Sequence, residues 1–186
     1  SIDLAMELEN KINFVAETLG AVICPSFPVL SNIKPFLKDL RLGAQDLSFA
    51  EKGAFTGQVS ARMLKEVGCE YVILGHSERR KFFKENDAMI NDKIKEALVF
   101  RIVPVVCVGE EKEDREKGRE KRVIASQIFK CLDGVRLTKD LGLILVYEPG
   151  WAIGSGLPCA SGDAVKMNIF IKKCLKDYFP DIVIKK

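Results

Sequence analysis

Short apolar runs alternate with longer amphipathic stretches along almost the whole of this 186-residue chain, and that alternation restricts its fold more than any other feature. The short runs fall at residues 21–24, 42–45, 71–74, 103–107, 143–147 and 182–184. Most are continuously apolar, the pattern of strands buried on both faces of a parallel sheet. Between them, the stretch 3–19 places Leu4, Leu8, Ile12 and Val15 three to four residues apart, which predicts a helix. Further helices are expected over 31–39, 57–67, 86–100, 114–132 and 161–178, with Asn86 and Ser161 as N-caps. The charge run 110–122 reads as the solvated start of one of them. Repeated strand–helix units joined by right-handed crossovers imply an α/β fold with a parallel sheet.

Polar and glycine residues recur just after the strands. They are Pro25-Ser26, Gln45-Asp46, Gly75-His76-Ser77-Glu78, Gly109-Glu110 and Glu148-Pro149. Chemistry gathered from many strand ends suits the C-terminal face of a β/α barrel. A doubly wound sheet would concentrate its site at one switch point, usually with a glycine fingerprint, and no G-x-G-x-x-G occurs. No composition break marks a boundary, so residues 1–186 are read as a single domain.

Net charge is only +3 and the basic residues are interleaved with acids, which argues against nucleic acid as a partner. No apolar run reaches the ~20 residues of a membrane span. Cys24, Cys69, Cys107, Cys131, Cys159 and Cys174 are widely spaced, without a C-x-x-C pair. They read as reduced thiols of a cytoplasmic protein, not as a zinc site or a disulfide framework. No metal and no cofactor is expected.

Two segments carry the candidate chemistry. Glu148 follows an apolar run and precedes Pro149, Gly150, Trp151, Ala152, Ile153, Gly154, Ser155 and Gly156. A carboxylate on a rigid strand end, with a glycine-rich lid attached, suits a general base that works behind a closing loop. The alternative is an acid that caps a helix or pairs with an arginine. His76, the only histidine, follows Gly75 at another strand end and precedes a short helix start at Ser77-Glu78-Arg79. A helix N-terminus disfavours imidazolium, so His76 would donate a hydrogen bond as a neutral ring. A lone histidine can equally be structural. Gly154-Ser155-Gly156 reads either as a flexible loop or as backbone N–H groups offered to a phosphate. The 53–59 loop, with Phe55 and Thr56, reads as a turn or as a protruding contact loop.

LGHSERR at 74–80, YEPGWAIGSG at 147–156, GAFTGQVSA at 53–61 and CVGE at 107–110 together resemble the triosephosphate isomerase family, in that family's order and approximate spacing. The resemblance implies a TIM-type β/α barrel and interconversion of dihydroxyacetone phosphate with glyceraldehyde 3-phosphate, a step of glycolysis and gluconeogenesis. It makes Glu148 the proton-abstracting base and His76 the electrophile, with Ser77 and Glu78 as supporting positions. Residues 149–160 become the lid, with Gly154 and Ser155 at the phosphate and Trp151 in contact with Glu110 in one lid state. Thr56 and Phe55 become the tip that enters a partner subunit, so self-association, as a homodimer or higher, is expected.

The chain also departs from that pattern. The family's first strand, with an Asn-x-Lys motif, and its last strand, with the phosphate-binding glycines, are not matched. The expectation is therefore a shortened, incomplete barrel of strands two to seven, with weak or absent activity; the alternative is a catalytically degenerate homologue acting as a binding or assembly module. A Schiff-base aldolase is disfavoured, because no strand other than the terminal one ends in lysine. Gly150 replaces a bulkier residue of the family and is expected to loosen the hinge.

Overall fold

A computed structural model describes residues 2–12, 20–138 and 140–179. Five parallel strands make up its sheet: β1 (Val22–Ile23), β2 (Arg41–Ala44), β3 (Tyr71–Leu74), β4 (Val103–Val108) and β5 (Ile144–Tyr147). The expected strand at 182–184 lies outside the described residues. Their order in the sheet is the order in the sequence, β1-β2-β3-β4-β5. That order decides between the two parallel architectures. A doubly wound sheet reverses direction at a switch point, whereas crossovers of one hand that always step the same way put their helices on one face. Such a sheet curls into an arc of a barrel.

Burial shows the two faces. On β3, Val72 and Leu74 are fully buried while Tyr71 and Ile73 are half-buried. The continuous apolar runs suggested burial on both faces; instead the helix-covered face is dry and the concave face is half open. The core lies between sheet and helices. Leu42, Ala44, Val72, Leu74, Val106 and Val108 meet Ile90, Ile94, Ile124 and Ile128 in one cluster.

The helices follow local chemistry more closely than periodicity. α1 is Ile2–Ile12, and the rest of the predicted 3–19 helix lies outside the described residues. The stretch expected as a helix over 31–39 is α2 (Leu30–Ile33), flanked by 3₁₀ turns at Phe27–Val29 and Lys34–Phe36. Pro28 and Pro35 sit in the opening positions of those turns, where a missing N–H costs nothing. α3 is Ala61–Glu66, capped by Ser60, whose hydroxyl accepts from Met63 N–H. α4 is Ser77–Phe82 and α5 is Asp87–Val99, the latter capped by Asn86 as expected. The predicted 114–132 helix is two helices, α6 (Lys112–Glu116) and α7 (Glu120–Cys131). Gly118, at φ +64°, breaks it, and Arg119 N–H turns back to Asp114 O in a C-terminal cap. α8 is Ser161–Tyr178, but Ser161 is its first helical residue and not its cap. The extended residue is Ala160, whose carbonyl takes the N–H groups of Asp163 and Ala164.

Glu9 of α1 is a buried carboxylate clasped by three backbone N–H groups, those of Lys38 (2.7 Å), Asp39 (2.6 Å) and Leu40 (3.2 Å). Burial pushes its proton affinity up, but the three donors and nearby Lys38 outweigh it and hold the carboxyl below its ordinary value of 4.5. A depressed folded-state value stabilises the fold above pH 4.5, and that contribution is lost as pH falls below it. Glu9→Gln is expected to cost about 1–3 kcal/mol at pH 7, less at pH 3, in urea unfolding.

Candidate active site

Two chain reversals bring the site together. After β3, Gly75 adopts φ +72°, where a Cβ would lie 3.1 Å from both Cys107 O and Ile90 Cδ1. The turn delivers His76 to the cap of α4, where Nδ1 accepts from Glu78 N–H at 3.3 Å. After β4, Gly109 passes against the backbone of Glu148, and a Cβ there would lie 1.9 Å from Glu148 O. Only glycine permits that approach. Glu148 N–H donates to Val108 O at 2.8 Å, and Gly109 is held by a reciprocal pair of 2.9 Å bonds with the Gln127 amide.

The result is a bonded pair. His76 Nε2 stands 2.7 Å from Glu148 Oε1, and Ser77 N–H donates to Glu148 Oε2 at 2.9 Å. The histidine side chain is 29% exposed and the carboxylate 12%, so the pair is dry on one side and reachable from the other. Because Nδ1 accepts a hydrogen bond it carries a lone pair, which places the ring proton of a neutral imidazole on Nε2. That N–H points at the carboxylate and is the donor that a carbonyl oxygen would use. Glu78's carboxylate lies 3.8 Å from Nδ1, and Ser77's hydroxyl is buried without a hydrogen-bond partner among the described residues. Cys107 lies behind Glu148; burial first, then the Glu148 charge, pushes its thiol up to about 12, so it stays protonated.

The loop after Glu148 is fastened to Glu110, a fully buried carboxylate. Trp151 Nε1 donates to Glu110 Oε1 at 2.9 Å, Tyr147 OH lies 3.1 Å from both oxygens, and Arg115 Nη1 is 3.3 Å away. Gly150 N–H donates to Glu110 O at 3.0 Å. Burial, then Glu110 itself, pushes the Tyr147 phenol well above its ordinary value, so it remains a donor. The Arg115 guanidinium lies 4.7 Å from the Trp151 ring centroid and bonds Asp163 at the start of α8 at 2.5 Å. The expected contact between Trp151 and Glu110 is thus present. Arg115, hidden in the charge run 110–122, is turned inward and was legible there only as a solvated cation.

Pro149 is buried and Ala152 half-buried, while Ile153, Gly154, Ser155 and Gly156 are exposed at the loop tip. Gly154 (φ +67°) and Gly156 (φ +72°) make its turns, and Ser155's hydroxyl bonds Ala152 O within the loop. Phe55 and Thr56 are exposed on the loop between β2 and α3, where Phe55 meets Phe49 edge-on at 5.1 Å.

A parallel β/α arc with an acid–imidazole pair where two strands emerge is the architecture of a β/α-barrel enzyme. Comparison with known proteins narrows it. The triosephosphate isomerase family model matches residues 2–185. The triosephosphate isomerase of Carboxydothermus hydrogenoformans is 45% identical over 163 residues, 87% of this chain and 65% of the relative. That of Aquifex aeolicus is 45% identical over 166 residues, 88% and 67%. The crystal structure of triosephosphate isomerase from Bartonella henselae superposes with a TM-score of 0.84 at 30% identity, covering 96% of this chain and 72% of that one. The chain belongs to the triosephosphate isomerase family. It spans about two thirds of the length of these curated relatives.

Proposed function

We propose that the chain carries the isomerase site for triose phosphates and interconverts dihydroxyacetone phosphate and glyceraldehyde 3-phosphate. The carrying observation is the 2.7 Å approach of His76 Nε2 to Glu148 Oε1. With substrate between them, Glu148 removes a proton from C1, and the C=O electron pair moves onto O2 as an enediolate. His76 Nε2–H donates to O2 and lowers the cost of that charge. The proton on O1 passes to O2 by way of the ring, and the same carboxyl returns a proton at C2, leaving the aldehyde at C1. The N–H donors of Ser77 and Glu78 hold base and ring in place. The 149–156 loop acts as the lid, with the exposed N–H groups near Gly154 and Ser155 offered to the phosphate.

Activity of this chain by itself is proposed to be weak. Among the described residues, the hydrogen-bond partners of Glu148 and His76 are each other and backbone N–H groups, and no cation touches them. Absence of preorganised positive charge typically costs orders of magnitude in rate. The test is deuterium incorporation at C1 of dihydroxyacetone phosphate in D₂O, followed by proton NMR. Slow incorporation above buffer alone supports the reading. Full turnover in a coupled glyceraldehyde 3-phosphate assay refutes the weakness, and saturable binding without incorporation turns the reading to a degenerate binding homologue.

Self-association is proposed on the same footing. Phe82 and Phe83 are 66% and 65% exposed, the Phe55–Thr56 loop stands out, and the concave sheet face is half open. An apolar surface of this kind is covered by a partner copy. Sedimentation at micromolar concentration is expected to show a dimer or larger; a clean monomer contradicts it. All six cysteines are free thiols, which supports a reducing, cytoplasmic setting.

A further inference from the structure

Gly150, at the root of the loop after Glu148, does not lie in the left-handed region, so its backbone suits any residue. The space of a side chain is nevertheless taken. A Cβ built there would lie 2.6 Å from Glu111 Oε1, 3.0 Å from its Cδ and 3.2 Å from Oε2. Glu111 occupies the N-cap position of α6, yet its carboxylate caps nothing; its carbonyl takes the N–H groups of Asp114 and Arg115 instead. The adjacent Glu110 holds the same hinge through Gly150 N–H and the Trp151 indole.

We propose that Glu111 is a positioning residue for the lid, its carboxylate standing in for the side chain that Gly150 lacks and bracing the hinge in the arrangement seen here. The proposal rests on the lid reading above. It changes the expectation that glycine leaves this hinge loose: the freedom of the backbone is offset by a carboxylate reaching across from the loop after β4. Alanine at 150 and the carboxylate end of the exposed Glu111 side chain meet in one volume, so the two substitutions are expected to be non-additive.

Trp151 is the only tryptophan in the chain and sits next to the hinge, so its fluorescence reports the lid root alone. Acrylamide quenching of the whole chain is measured without ligand. Glu111→Ala is expected to raise the quenching constant about two-fold, the scale of an exposed contact. Glu111→Gln, of the same shape, leaves it unchanged, and adding Gly150→Ala to Glu111→Ala restores it because the methyl refills the space. Quenching in Glu111→Ala equal to the parent, a double variant as quenchable as Glu111→Ala, or a full effect in Glu111→Gln each overturns the proposal. A separate titration with glycerol 3-phosphate tests the lid reading: no change in Trp151 emission at saturation defeats that reading, while the ligand-free series still decides the brace.

Discussion

Glu148→Gln is expected to lower deuterium incorporation into dihydroxyacetone phosphate by about 10²–10⁴-fold, the usual worth of a positioned general base. The amide keeps the shape of the carboxylate and can still accept from Ser77 N–H, but it cannot take a proton from carbon. His76→Gln is expected to cost about 10²–10³-fold, the range for one preorganised donor to a developing oxyanion. The two losses should not add. Glu148 Oε1 and His76 Nε2 are in direct contact, and each variant leaves the other group without its partner. Circular dichroism and a denaturation midpoint near that of the parent separate lost chemistry from lost structure. Incorporation by Glu148→Gln within ten-fold of the parent would assign proton removal to another group.

The second large effect is on stability. Lys93 on α5 is almost fully buried, with its ammonium 2.7 Å from Asp46 Oδ1, 2.9 Å from Asp46 Oδ2 and 2.5 Å from Glu85 Oε1. Arg79 on α4 closes the cluster, 2.7 Å from Glu85 and 2.8 Å from Asp46. Glu85's second oxygen has no hydrogen-bond partner among the described residues, so the cluster has little to spare. Lys93→Met removes one cation and leaves two buried carboxylates against a single arginine. Breaking a buried pair in this way costs about 3–5 kcal/mol, a large share of the 5–15 kcal/mol that holds a typical domain together. Urea unfolding should show it, and adding Asp46→Asn and Glu85→Gln should recover most of the loss.

The same cluster fixes the sign of a pH effect. Burial above all, with the Glu85 charge adding to it, raises the Asp46 carboxyl above its ordinary 3.8; Lys93 and Arg79 pull the other way. A folded state that binds the proton more tightly gains stability as pH falls through that window and loses it as pH rises. Removing Lys93 raises the folded value further and widens the window upward. Lys93→Met should therefore be less damaging at pH 5 than at pH 8. Equal damage at both would mean that Asp46 titrates normally in the variant.

The parts of this molecule that were legible in the sequence are those where chemistry and position coincide. Glu148 and His76 each follow a strand, and a parallel sheet carries all its strand ends to one edge, so their convergence follows from topology. Asn86 was a legible cap because its side chain bonds Met89 N–H. Ser161 misled because serine favours caps, while the chain geometry puts the extended residue one place earlier, at Ala160. Periodicity ran α6 and α7 together because it is blind to Gly118's backbone. Arg115, Gln127 and Lys93 escaped notice for a different reason: a cation or an amide on a helix reads as solvated until the fold shows which carboxylate or strand end it faces. Gly109 was legible only as a glycine following a strand, since its need for the missing side chain arises from a neighbouring strand's backbone.

The most direct measurement uses the fact that the chain has one histidine. With ¹⁵N-labelled histidine, NMR reads His76 alone. The neutral ring should carry its proton on Nε2 with Nδ1 as acceptor, and dihydroxyacetone phosphate should move the Nε2 resonance in the parent and less in Glu148→Gln. A proton on Nδ1, or an Nε2 signal that stays still while the ligand binds elsewhere on the folded chain, would contradict a shared site for the carboxylate and the ring.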